Sequence, residues 1–232
     1  SQQLADQMFG VVEPFAGYAF NKAHAVSYGL ISYWTAFLKA NYPEEYMVCL
    51  INSNAGNTEK LAVAVAECRR LKIPVGAPDV NMSDVEFSVE DRRDGPRAVR
   101  FGLSTIKNVG SAAVFPIVQA RKKIGRFETI EQICREAYMS ALNRKALESL
   151  IYAGALDEFG SRGGLLESVG RILGLAQSEA KLRSSNQTSM FDLFGDSVPT
   201  PMAQINIPEI AIPSSQRQEF ERELIGVDLS GN

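Results

Sequence analysis

The sequence predicts a mainly α protein with a small β element, and three observations carry that reading. Apolar residues recur at helical spacing over 23–41 (Val26, Leu30, Trp34, Phe37, Leu38) and again in the Ala/Val/Leu stripe that follows Asn57. Over 75–104 the pattern changes to apolar–polar alternation around "DRRDGPR", whose Asp-Gly and Pro are turn chemistry. Beyond about residue 178 the chain turns polar and Pro-rich ("SSNQTS", "SVPTPM", "NIPEIAIPSSQ"), the composition of a flexible linker.

Each element follows from local signals. One helix is expected over 23–41. Pro43 then suits the first turn of a second helix, where its missing N–H costs nothing. A third helix starts at "NTEKLAVAVAECRR", capped by Asn57 or Thr58, and stops before Pro74. Residues 77–104 predict two or three short strands in a small hairpin. From 102 to 160 short helices return, broken by Gly, with Gly154 or Gly160 as terminator. A helix and linker fill 161–218. The stretch "SQRQEFERELIGVDLSG" is amphipathic, ends in a strand-like run, and predicts that 219–232 open a following domain.

Composition narrows the classes. The chain has 232 residues, 45% of them hydrophobic, enough for a core and for one or two domains. It lacks the roughly 18 consecutive apolar residues of a membrane span. The start "SQQLADQMFG" has no initiator Met or signal-like block, which predicts a piece of a longer protein. Cys49, Cys68 and Cys134 lie far apart on helical patterns, with no metal spacing and no paired framework. Core packing in a reducing cytoplasm is the expectation for all three.

Net charge is −3, which alone argues against a polyanion partner. Its distribution argues otherwise. Between Arg92 and Lys145 stand twelve Lys or Arg and four acids, a local +8, leaving −11 for the remainder. Such a split localises a polyanion site to the middle of the chain.

The sharpest motif lies inside that segment. In "FGLSTIKNVGSAAVFPIVQARKKIGRF" a short helix over 102–106 precedes Lys107-Asn108-Val109-Gly110, and a second helix starts at Ser111. The pattern resembles a helix-hairpin-helix, whose hairpin usually reads Gly-hydrophobic-Gly. Asn108 replaces the first Gly, and Asn accepts left-handed backbone geometry. Gly110 permits close backbone approach, and Val109 plugs the gap between helices. Unsatisfied amides at the start of the second helix suit a phosphate oxygen. Lys107 adds a point charge, and Arg121, Lys122 and Lys123 are expected at a second phosphate. Such contacts position DNA without reading its sequence. A second helical pair follows, joined by the glycine-free "YMSALN". Asn143 is expected to cap its last helix, with Arg144 and Lys145 exposed where basic residues oppose the helix dipole and a phosphate would explain them.

A longer resemblance runs through the chain. "FAGYAFNKAHAVSYGLISYWTAFLKANYPEEYM" resembles the fingers of bacterial DNA polymerase III α subunits, the C-family replicative polymerases. Phe20-Asn21-Lys22-Ala23-His24-Ala25 stands where the family has a Phe-Asn-Lys-Ser-His-Ala-like run, and Tyr42-Pro43-Glu44 supplies the aromatic-Pro-acidic turn. Ala19 and Ala23 depart from the usual Gly and Ser. The likeness continues through "NTEKLAVAVAECRRLKIPVGAPDVN", "FGLSTIKNVG", "NRKALESLIYAGALD" and "RELIGVDLSG", and is poorest over 161–218.

The resemblance implies a helical fingers subdomain over 1–76, a tandem helix-hairpin-helix module over 102–160, and a flexible linker ahead of an OB-type domain. It implies a cytoplasmic DNA-directed DNA polymerase working on primer-template DNA and deoxynucleoside triphosphates, with other replicase subunits. Asn21, Lys22 and His24 would face the incoming nucleotide. The carboxylates holding Mg²⁺ would belong to an upstream palm domain. The chain has no Asp-x-Asp pair, so the fragment alone is expected to be inactive.

Four large apolar residues, Met190, Phe191, Leu193 and Phe194, sit inside the polar tail. Gln187-Thr188-Ser189-Met190-Phe191 matches the Gln-x-x-(Leu/Met)-Phe peptide by which the family binds its sliding clamp. Met190 and Phe191 would fill an apolar pocket, with Gln187 hydrogen-bonding at its edge. A second register would use Leu193 and Phe194. Two other readings remain: a stand-alone helix-hairpin-helix DNA-binding or scaffold protein, and a nuclease or ligase domain. The latter lacks a carboxylate cluster or nucleophilic-Lys motif here.

Overall fold

The computed structural model describes residues 1–16, 21–139, 141–184 and 204–227, with the chain in two compact units, Ser1–Tyr46 and Met47–Asn232. The elements run α1 (Gln2–Ala16), α2 (Lys22–Asn41), α3 (Pro43–Ser53), α4 (Thr58–Arg70), β1 (Val75–Gly76), β2 (Ser88–Glu90) and β3 (Ala98–Arg100). A 3₁₀ turn, Leu103–Thr105, leads to α5 (Ser111–Ile124), α6 (Ile130–Glu136) and α7 (Arg144–Tyr152). After a second 3₁₀ turn at Asp157–Phe159 come α8 (Arg162–Glu167), α9 (Val169–Ser184) and α10 (Ser214–Ile225). The mainly helical class with a small sheet is as the sequence predicts.

In the first unit α2 starts where its cap stands. The Asn21 Oδ1 accepts the His24 amide at 3.0 Å and satisfies one of the helix's orphan donors. No residue of α2 is buried, so Tyr28, Ile31, Trp34 and Phe37 present an apolar surface. Pro43 opens α3, as expected.

The unit boundary at Tyr46/Met47 falls within the span assigned from sequence to a single subdomain ending at residue 76. Asn57, rather than Thr58, caps α4, its Oδ1 accepting the Lys60 amide at 3.0 Å. The sheet is more than a hairpin. Its order is β1-β3-β2, with Val99 paired in parallel to Val75 and antiparallel to Val89. The central strand is buried throughout, and Phe101 beyond it stacks at 4.4 Å on Phe87.

The core of this unit is built from Phe101, Phe127, Ile117, Leu147, Leu150 and Leu165. Burying each of these side chains stabilises the fold by about 1.5–3 kcal/mol. Helix α7 ends at Tyr152 and Gly154, at φ 83°, lets the chain turn away. Helix α9 continues to Ser184, beyond the predicted onset of the linker at 178.

Residues 204–213 form neither helix nor strand, and α10 follows. Residues 219–225, expected to open another domain, form the second half of α10, where Phe220 stacks on Tyr152 of α7 at 4.1 Å. Cys68 and Cys134 are core residues as expected; Cys49 is exposed on α3, which corrects its assignment to the core.

Candidate nucleic-acid interface

The hairpin forms as a tight reversal between the 3₁₀ turn and α5. Val109 donates its amide to the Ile106 carbonyl at 3.0 Å, and its side chain is buried between the helices, the plug that the sequence suggested. Asn108 takes φ 68°, the left-handed geometry expected of an Asn in place of Gly. Its Nδ2 donates to Ser149 Oγ on α7 at 3.3 Å. The Lys107 amide donates to Leu224 O at the end of α10 at 2.9 Å.

These bonds leave four amides over. Among the described residues, the N–H groups of Asn108, Gly110, Ser111 and Ala112 have no acceptor, and all four residues are exposed. They cluster at the N-terminus of the 14-residue α5, the positive end of its dipole. Gly110 is the informative member. Its φ of −84° suits any residue, and a Cβ there would meet nothing within 4 Å. Within the fold glycine serves as the N-cap of α5, a role that Ser, Thr, Asn or Asp would fill with a side-chain bond to the first-turn amides. Close approach of an external group to the backbone would favour glycine over these.

The predicted charges divide sharply. Arg121 is buried, with its Nη1 donating to Val80 O at 2.7 Å and Ser83 O at 2.6 Å, and burial pulls its pKa down. It is therefore withdrawn from the phosphate set: it ties α5 to the 80–83 turn. Lys122 is exposed but pairs with Asp84 at 2.8 Å. Burial pushes the Asp84 carboxyl up, and the Lys122 hydrogen bond with the Val85 amide outweighs it, holding the group below its ordinary range.

Lys107 is exposed, its Nζ 3.4 Å from Glu223. Asn143 caps α7 as predicted, accepting the Ala146 amide at 2.9 Å. Arg144 and Lys145 are exposed in the first turn, Arg144 pairing with Glu148 at 2.8 Å.

The +8 segment is thus not a bare basic face. Arg92 and Arg100 meet Glu90, Arg97 meets Asp91, Arg126 meets Glu158, and Arg135 meets Glu179. Every one of these carboxylates, like Asp84, Glu148 and Glu223, lies outside 92–145. Among the described residues of the segment, Arg93, Arg121, Lys123 and Lys145 have no ion pair, and Arg121 is bonded to backbone carbonyls instead. Backbone amides, more than net charge, distinguish the hairpin.

In the first unit Lys22 and His24 are exposed at the start of α2, and the His24 ring lies 4.3 Å from Tyr28. Gln187, Met190 and Phe191 lie outside the described residues. Among the described residues no three His, Cys, Asp or Glu side chains gather to hold a metal ion, and no helix is long and apolar enough to cross a membrane.

The hairpin geometry defines a helix-hairpin-helix protein, and a family model described as "Helix-hairpin-helix motif" matches residues 72–165. The chain as a whole corresponds to one region of the DNA polymerase III α subunit family. It is 38% identical to the DNA polymerase III subunit alpha of Saccharopolyspora erythraea over 99% of this chain and 19% of that protein. The Escherichia coli (strain K12) subunit is 36% identical over 99% of this chain and 20% of its own length. That of Thermus aquaticus is 35% identical over 100% and 18%. The chain thus spans about a fifth of the length of the curated relatives it matches.

Proposed function

We propose that this chain is the part of a bacterial replicative DNA polymerase that holds the duplex by its sugar-phosphate backbone. The observation that carries the reading is the set of four exposed, unpartnered amides at Asn108–Ala112 around an unhindered Gly110. Phosphate oxygens are the natural acceptors for such a cluster, and Lys107 and Lys145 add charge. The relatives named above supply the replicative setting.

In the same reading Asn21, Lys22 and His24 serve the incoming nucleotide in the whole enzyme. Asn21 fixes the start of α2, so that Lys22 and His24 are offered from its first turn to the triphosphate. Gln187, Met190 and Phe191 tether the enzyme to its sliding clamp. Catalytic carboxylates and Mg²⁺ belong to another part of the polymerase, and the chain alone does not polymerise. A stand-alone DNA-binding protein is disfavoured by the match of 99% of the chain to a polymerase subunit.

Duplex binding measured against salt tests the reading. Each neutralised phosphate contributes about −0.9 to the slope of log K against log salt. A steep decline that lessens in Lys107→Ala is expected. Absence of duplex binding at low salt would refute it.

A further inference from the structure

The hairpin does not hold itself in place. Its first amide, Lys107 N–H, finds its acceptor in Leu224 O, 117 residues further along the chain. That carbonyl stands at the last turn of α10, and α10 is located by a series of contacts. Leu224, Ile225 and Val227 are buried. Phe220 stacks on Tyr152. Glu221, only 2% exposed, accepts from Arg162 Nη1 at 3.1 Å, and the same nitrogen donates to Tyr152 O at 3.0 Å.

The chain ahead of α10 is seated equally closely. Ile205 N–H donates to the buried Glu131 at 2.6 Å. Ser161 Oγ donates to Pro208 O at 3.3 Å and accepts from Ile210 N–H at 3.0 Å. Gly163 and Gly164 at the start of α8 make room for it. A Cβ on Gly164 would overlap Pro208 O, and one on Gly163 would overlap Ile210 O. These glycines are required by the close passage of the 208–210 backbone.

We infer that residues 204–227 are a positioning clasp for the hairpin, with Glu221 the positioning residue that keeps α10, and hence Leu224 O, beneath the Lys107 amide. The physical reason is economy of donors. The Lys107 N–H has its acceptor within the protein, in Leu224 O. By taking the Lys107 N–H, the clasp fixes the turn and leaves the amides of Asn108 and Gly110–Ala112 for a ligand. It removes the ordering cost that a loose turn would incur on binding. The DNA arm of this inference rests on the duplex reading; the amide arm does not.

Amide-resolved hydrogen exchange on the whole chain tests it, with Glu221→Gln and Phe220→Ala. Arg162 retains Asp157, bonded at 2.8 Å, so neither change strands its guanidinium. In both variants the Lys107 amide is expected to exchange roughly ten-fold faster, while those of Ile133 and Leu147 keep their protection. Duplex Kd should rise about five-fold, with an unchanged salt slope, because no phosphate contact is removed. Wild-type protection of Lys107 in both variants would overturn the clasp. So would its loss in step with Ile133 and Leu147, which would mark a general support of the fold. If the unaltered chain binds no duplex, the proposed function fails, and the amide arm still decides the clasp.

Discussion

Asn108 Nδ2 reaches Ser149 Oγ at 3.3 Å, tying the left-handed residue of the hairpin to the buried face of α7. The bond joins the two helical pairs at the point where the chain reverses. Asn108 thus combines a backbone role, φ 68°, with a side-chain role. Asn108→Gly keeps the first and loses the second, so the fold should lose no more than about 1 kcal/mol. Asn108→Val should cost on the order of 1–3 kcal/mol, because a β-branched residue resists this geometry. Urea denaturation of the two variants compares the roles.

Gly110→Ala separates folding from binding. Open space and an ordinary φ limit the loss of stability to no more than about 1 kcal/mol, the cost of Ala in place of Gly at the N-cap of α5. Duplex affinity should fall about ten-fold, because the methyl group stands where the phosphate must come close. Calorimetry and fluorescence anisotropy on one preparation give both values.

The basic residues should fall into two groups. Lys107→Ala and Lys145→Ala should each reduce the salt slope by about one and leave stability nearly intact. Arg121→Ala should instead destabilise the fold by on the order of 2–3 kcal/mol, since the carbonyls of Val80 and Ser83 lose their buried donor. Thermal melts beside salt titrations distinguish the groups.

The thiols predict an alkaline limit. Burial, reinforced by Glu67, pushes Cys68 up to about 11, and burial, reinforced by Glu131 and Glu179, pushes Cys134 up to about 12. Both groups have folded pKa values above their ordinary 9.0. The stability they contribute is complete below about pH 9 and is lost as pH rises towards those values. Denaturation midpoints should therefore drop above pH 9, less steeply in Cys68→Ala. At pH 8 a thiol reagent should label exposed Cys49 first.

The hairpin was legible because its information is local. Four residues, Lys107 to Gly110, contain the left-handed position, the plug and the open backbone. Arg121 departs from the expectation because "RKK" is a single charge run in composition but not in orientation. Helical periodicity places Arg121 on the face of Val114, Ile117 and Val118, all buried, and that spacing signals an inward side chain. The neutralisation of the basic segment could not be read, because partners such as Glu223 and Glu158 lie far along the chain. Residues 204–213 looked like linker by composition. Their docking depends on glycines in α8, and two distant segments that fit one another leave no mark in either alone.

The most direct measurement follows the backbone amides of the whole chain by NMR during titration with a short DNA duplex. Asn108, Gly110, Ser111 and Ala112 should shift together and saturate at one Kd that weakens with salt, while buried Val109 moves little. Binding that shifts other amides and leaves these four unmoved would contradict the account.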